Sequence, residues 1–251
     1  MMGEKEEMHM EAIKATNLVK RYKDITAVSG LDLEIRQGEL FALLGVNGAG
    51  KTTAIKMLTC LTRPTEGDAL VGGYSIVKEP EQVKGCIGVS PQETAVAPNL
   101  TVAENLALIC GIHGFSREKT KRKTEELTTQ FDLESVLKRK AGKLSGGWQR
   151  RVSIAMALIS EPEILFLDEP TLGLDVIARH DLWDLIRSLK GKMTVILTTH
   201  YMEEAETLSD RIGILKNGTL LAVGTAEELK QKAGADDFER AFISIVKEGR
   251  A

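Results

Sequence analysis

Two segments near the start of the chain mix apolar and polar residues in alternation. Ile13 to Val19 and Ala27 to Ile35 follow the pattern of half-buried antiparallel strands, and predict a small β layer that opens the fold. The run Leu40 to Leu44 departs from this pattern. It is continuously apolar, as a strand covered on both faces must be, and it leads straight into a glycine-rich turn. Ile87 to Val89, Ile164 to Leu167 and Thr194 to Leu197 repeat the continuous pattern. Four such runs separated by helical patterns predict an α/β fold, a parallel sheet with helices on both faces.

From Thr101 to Lys143 the pattern is helical throughout, beginning with a capping box of Thr101 and Glu104. The dense charge run REKTKRKTEE within it predicts a solvated helix face in preference to a docking surface for an acidic partner. After His200, YMEEAE predicts a helix. Ile212 to Leu215 and Thr219 to Val223 then predict a hairpin turning at Asn217-Gly218, and Thr225 with Glu228 caps a further helix. The absence of internal repeats predicts a single compact unit.

At 251 residues the chain can bury a substantial core. A formal net charge of −3 gives no support to a nucleic-acid or anionic-membrane surface as the main partner. Cys60, Cys86 and Cys110 lack metal-ligand spacing, and an odd number cannot pair fully, so a reducing cytosol fits best. The opening MMGEKEEMHME lacks the basic-then-apolar order of a signal peptide, and no apolar run nears the roughly 20 residues that span a bilayer. Any membrane role is expected to run through another polypeptide.

The string GVNGAGKTT, Gly45 to Thr53, fits the phosphate-loop pattern between a buried strand and a helix. Glycines Gly45, Gly48 and Gly50 let the backbone curl so that N–H groups from Asn47 to Thr53 face one anion at a helix N-terminus. Lys51 can neutralise β and γ phosphates, and Thr52 can offer its hydroxyl to Mg²⁺. The buried strand ILFLDEP supplies the complementary half: Asp168 to hold the metal, and Glu169, one residue further on, to polarise a water. An acidic pair at a strand end is by itself more often a solvated turn. A phosphate loop in the same chain reverses that preference.

LSGGWQRR, Leu144 to Arg151, resembles the signature motif of the ATP-binding cassette (ABC) ATPases. The resemblance covers nearly the whole chain, and it implies a P-loop NTPase (RecA-like) core with an N-terminal antiparallel β subdomain and an inserted α-helical subdomain. It implies one cassette over residues 11–230, with core and β layer in 11–92 and 150–230, a helical subdomain at about 93–149, and a short helical tail at 231–251. It further implies that Tyr22 stacks on adenine, that Gln92 touches Mg²⁺ or the attacking water, that His200 bonds the γ-phosphate and Glu169, and that Asp175 bridges two subunits. Ser145, Gly146 and Gly147 would face the γ-phosphate of an ATP bound by the opposite subunit. Trp148 departs from the usual glutamine of this motif, and Gly173 from the alanine common in relatives.

The strings EPTLGLDVIAR, THYMEEAE and DDFERAFISIV resemble the daunorubicin-resistance branch of ABC-2 type exporters. That resemblance implies ATP and Mg²⁺ as ligands, and a second copy or a related cassette as dimer partner. It also implies a separate multi-span permease, no nucleic acid, and a peripheral position on the cytoplasmic face of the membrane. The competing expectation is a soluble ABC ATPase acting on iron-sulfur assembly, chromosomes or ribosomes. The span from Gln92 to Ser145 leaves no room for long coiled coils, and the chain carries one cassette where translation factors carry two.

Overall fold

A computed structural model describes residues 11–249. The residues before Glu11, on which the signal-peptide reading rests, lie outside this range. In chain order the first half contains β1 (Glu11–Tyr22), β2 (Ile25–Arg36), β3 (Leu40–Leu44), α1 (Lys51–Leu58), β4 (Glu66–Val71), β5 (Tyr74–Ser75), α2 (Pro80–Cys86), β6 (Ile87–Ser90), α3 (Val102–Ile112) and α4 (Arg117–Gln130). The second half contains α5 (Gly146–Ala157), β7 (Ile164–Asp168), α6 (Val176–Arg187), β8 (Thr194–Thr199), α7 (Met202–Leu208), β9 (Arg211–Lys216), β10 (Thr219–Gly224), α8 (Ala226–Ala233) and α9 (Phe238–Glu248).

The four continuously apolar runs are neighbours in one six-stranded sheet of order β10-β9-β3-β8-β7-β6. β6, β7, β8, β3 and β9 run parallel, and β10 closes the edge antiparallel to β9. Successive residues of these strands feed different cores. Leu40, Ala42 and Leu44 join Leu165, Leu167, Val195 and Leu197 beneath α3, α5, α6, α7 and α9. Phe41 and Leu43 join Ile164, Phe166 and Ile196 on the opposite face. That face is covered by α1 and α2 together with a four-stranded antiparallel sheet, order β2-β1-β4-β5. The sheet contains the two expected strands, in a register that sets Ile13 opposite Ile35 and Ala15 opposite Leu33. It also contains β4 and β5, which the residue pattern did not announce.

The expected capping boxes form at Thr101 with Glu104 and at Thr225 with Glu228. Asn217 and Gly218 both adopt positive φ, 48° and 79°, as a tight hairpin turn between β9 and β10 requires. The charged run lies on α4 and is mostly solvated, but Lys123 turns inward and pairs with Glu126 and Glu161, each at 3.0 Å. Two short 3-10 turns, Glu134–Val136 and Ala141–Lys143, interrupt the segment that the pattern read as helical throughout. At the C-terminal end α8 runs across residue 230, and α9 buries Phe238, Phe242 and Ile245 in the helix-covered core.

Candidate functional site

β3 ends at Leu44 and the chain turns at once into the loop that precedes α1. Gly45 N–H donates to Thr199 O across the sheet at 3.2 Å, which ties the start of the loop to the end of β8. Gly50, at φ 105°, is the N-cap of α1, and no side chain accepts a bond from the first turn. The amides that open this helix therefore remain available to an external acceptor. Only glycine fits at Gly50: a Cβ there would lie 2.4 Å from Ala27 O. The β9–β10 turn braces the loop from outside, because Gly218 N–H donates to Ala49 O and its carbonyl accepts from Ser29 N–H, both at 2.8 Å.

The two acidic residues stand at the end of the adjoining strand but one. Asp168 Oδ1 accepts from Thr52 Oγ1 at 3.2 Å and from Thr198 Oγ1. Glu169 follows at φ 49°, a left-handed conformation that costs a non-glycine residue energy and recurs where function demands a fixed side-chain direction. The turn is held by Glu169 N–H donating to Thr198 Oγ1 at 3.0 Å. The Glu169 carboxylate, only 5% exposed, lies between two cationic or polar neighbours. Its Oε1 is 3.1 Å from Lys51 Nζ and its Oε2 is 2.7 Å from His200 Nδ1. Lys51 Nζ also donates to Gly45 O at 2.7 Å.

These groups border a cleft of about 720 Å³. Asn47, Gly48, Gly50, Lys51, Thr52 and Thr53 line one wall, and Gln92, Glu169 and His200 reach it from the ends of three other segments. Asp168 touches it through Thr52. The oxygen pair of Thr52 and Asp168 is the hard, all-oxygen donor set that suits Mg²⁺, and the curled loop with an uncapped helix start suits polyphosphate.

The remaining sequence candidates lie elsewhere. Ser145 is the N-cap of α5 and accepts no capping bond, so its hydroxyl is uncommitted. Gly146 and Gly147 begin that helix beside α6, where a Cβ on Gly147 would come within 3.1 Å of Ala178 Cβ. Asp175 caps α6 by accepting from Ala178 N–H at 2.9 Å. The signature and Asp175 thus share one surface, separate from the residues that line the cleft. Trp148 packs its partly buried indole against the helix-covered core, with the Arg151 guanidinium 5.1 Å from the ring centroid. Tyr22 ends β1 in a 44% exposed position, stacked with Lys20 and not among the residues lining the cleft.

Thr198 and Glu204 escaped the sequence reading. Two threonines at the end of an otherwise apolar strand were the available sign for Thr198, since a buried hydroxyl needs partners. Glu204 lies in the segment YMEEAE, expected only to be a helix, and it is fully buried. Its Oε1 accepts from Thr171 Oγ1 at 2.8 Å and Trp183 Nε1 at 3.0 Å. Burial pushes its carboxyl above the ordinary value, against these hydrogen bonds, which favour the ionised form.

A phosphate loop, an acidic strand end and a facing histidine define the protein as a P-loop nucleotide-binding protein. The family model described as ABC transporter matches residues 28–172, and the chain belongs to that family. It is 44% identical over 211 residues to the doxorubicin resistance ATP-binding protein DrrA of Mycobacterium tuberculosis, a match covering 84% of this chain and 64% of that protein's length. It is 40% identical over 237 residues to the linearmycin resistance ATP-binding protein LnrL of Bacillus subtilis, covering 94% of this chain and 76% of that one. Among solved structures, a dimeric ATP-binding cassette in a post-hydrolysis state with ADP and phosphate superposes with TM-score 0.77 at 30% identity. It covers 85% of this chain and 98% of that one.

Proposed function

We propose that this chain is the ATP-binding and ATP-hydrolysing subunit of an ABC exporter, working as a dimer around two ATP molecules and driving a separate membrane permease. The observation that carries the reading is the Glu169 carboxylate, buried between Lys51 and His200 at the mouth of the phosphate loop. Relatives named for drug resistance and a cassette solved as a dimer with ADP and phosphate support it. Among the described residues no helix is long and apolar enough to cross a membrane.

In this reading the loop amides and Lys51 bind the β and γ phosphates, and Thr52 and Asp168 hold Mg²⁺. The metal would supply charge neutralisation on the phosphate oxygens. Glu169 orients a water for in-line attack and accepts its proton as the new P–O bond forms and the bond to ADP breaks. His200 keeps the carboxylate aimed. Gln92 borders the same space. Ser145, Gly146 and Gly147 of the second subunit close the site from the far side, beside its Asp175, while Tyr22 stacks on the base. The division into a core, a β layer and a helical subdomain over 93–149, with a tail from 231, belongs to this reading. So does a position on the cytoplasmic membrane face.

Two measurements test it. Purified protein should release phosphate from Mg-ATP; no release above a Lys51→Ala control would remove the ATPase assignment. Tagged protein, isolated from native membranes in gentle detergent, should carry a multi-span protein at matching stoichiometry. Recovery in the soluble fraction with ribosomes, DNA or an assembly scaffold would leave the ATPase standing and remove the exporter.

A further inference from the structure

α5 begins at Ser145, the group that the proposed function assigns to the partner's nucleotide. About one and a half turns further along the same helix stands Arg150. Its side chain is 5% exposed and points to the segment that follows β6. Nη1 donates to Pro91 O and Nη2 to Gln92 O, both at 2.6 Å. Two carbonyls in succession along a backbone match the planar fork of a guanidinium, and an ammonium could not span them in the same way. Two further contacts join the same pair of segments: Ser90 Oγ with Ser153 Oγ at 2.9 Å, and Thr94 Oγ1 with Gln149 Oε1 at 3.4 Å.

Gln92 lines the cleft. Its own side chain has no hydrogen-bond partner among the described residues, so the position of that side chain depends on how its backbone is held. We propose that Arg150 is a positioning residue: it fastens the Gln92 backbone to the helix that starts at Ser145. The side chain that senses one nucleotide and the hydroxyl that meets the other then move as one body. The inference rests on the nucleotide-hydrolase reading. The competing account is that Arg150 serves only as a buried cation near Asp168 and Glu204: burial lowers its pKa, and these two carboxyl groups oppose that shift.

The two accounts separate in a double-mutant cycle on ATP turnover, using the full chain as wild type, Arg150→Met, Gln92→Ala and the double variant. If Arg150 acts through Gln92, Arg150→Met lowers kcat by about tenfold with KM for ATP changed far less, the scale expected when a site group is misplaced. In the Gln92→Ala background the same substitution then costs less than about twofold. Equal losses in both backgrounds would overturn the proposal in favour of a general stabilising role, and so would no loss in either. Should Arg150→Met fail to fold, Arg150→Lys, which keeps the charge and loses the fork, carries the cycle with the same criteria. A wild-type chain without turnover would instead sink the hydrolase reading, and that outcome is visible before any variant is made.

Discussion

Lys51 and Glu169 are each other's counter-ion within the folded chain, 3.1 Å apart and both nearly out of contact with solvent. They come from the first turn of α1 and the residue just past β7, 118 positions apart by number, and meet because β3 and β7 both flank β8. Each thereby avoids the cost of burying a lone charge. A nucleotide whose phosphates drew Lys51 away would leave the Glu169 carboxylate in contact with His200 alone.

Glu169→Gln should therefore retain ATP binding and lose turnover by about 10²- to 10⁴-fold, the usual contribution of a general base. Equilibrium binding of a fluorescent ATP analogue and a phosphate-release assay measure the two halves. Turnover near the wild-type rate would mean that another group activates the water.

Gly50→Ala should abolish nucleotide binding. The left-handed φ costs an alanine about 1–2 kcal/mol, and its Cβ would collide with Ala27 O, so the loop must move away from the shape that turns its amides inward. Titration with the same analogue reads the loss, and binding at wild-type affinity would show that the loop tolerates reshaping.

Trp148→Gln restores the glutamine common at this place in the motif. Because the indole packs on the core while Ser145 and the two glycines supply the exposed end of α5, the variant should lose about 1–2 kcal/mol of stability. Turnover per folded molecule should stay within about twofold. Urea melts and steady-state assays check both. A turnover change of an order of magnitude would give the indole a place at the nucleotide.

Glu204 predicts a pH effect. Its carboxyl is held above the ordinary value of 4.5 by burial, so in the folded state it binds its proton more tightly than in the unfolded chain. The stability this contributes is fully present below 4.5 and is lost as pH rises through the raised folded value. Glu204→Gln keeps an acceptor for Thr171 and Trp183 without an ionisable group. Urea midpoints measured from about pH 5 to 8 should show the variant gaining on wild type as pH rises. A constant difference across that range would mean that Glu204 does not titrate there in the fold.

Most of the parallel sheet was legible because strands buried on both faces cannot hide their composition. Leu40–Leu44 and Ile164–Leu167 announce themselves, and the turns after them carry the phosphate loop and the acidic pair. β4 was not, since Glu66, Gly67 and Asp68 fill its first half and its burial is decided by pairing with β1. The grouping of Lys51, Glu169 and His200 was expected from the family resemblance alone, and the strand order that produces it, β3-β8-β7, came from the structure. Thr198 left only a faint sign, a hydroxyl at the end of an apolar strand, and Glu204 and Arg150 left none, because a buried polar residue is explained by partners distant in sequence, and Arg150 finds its own 58 and 59 positions away.

The alternation of β3 between two cores has a bearing on how faithfully the loop after it is delivered. Leu43 faces the antiparallel sheet and Leu44 faces the helices. A slip of one residue would exchange the two faces along the whole strand and carry Gly45 about 3.3 Å from its seat beside Thr199. Such a misthreaded chain would forfeit both cores at once and could not persist. The packing that holds the fold together is therefore also what seats Gly45 beside Thr199, so the start of the loop is aligned by the two cores and not by a ligand.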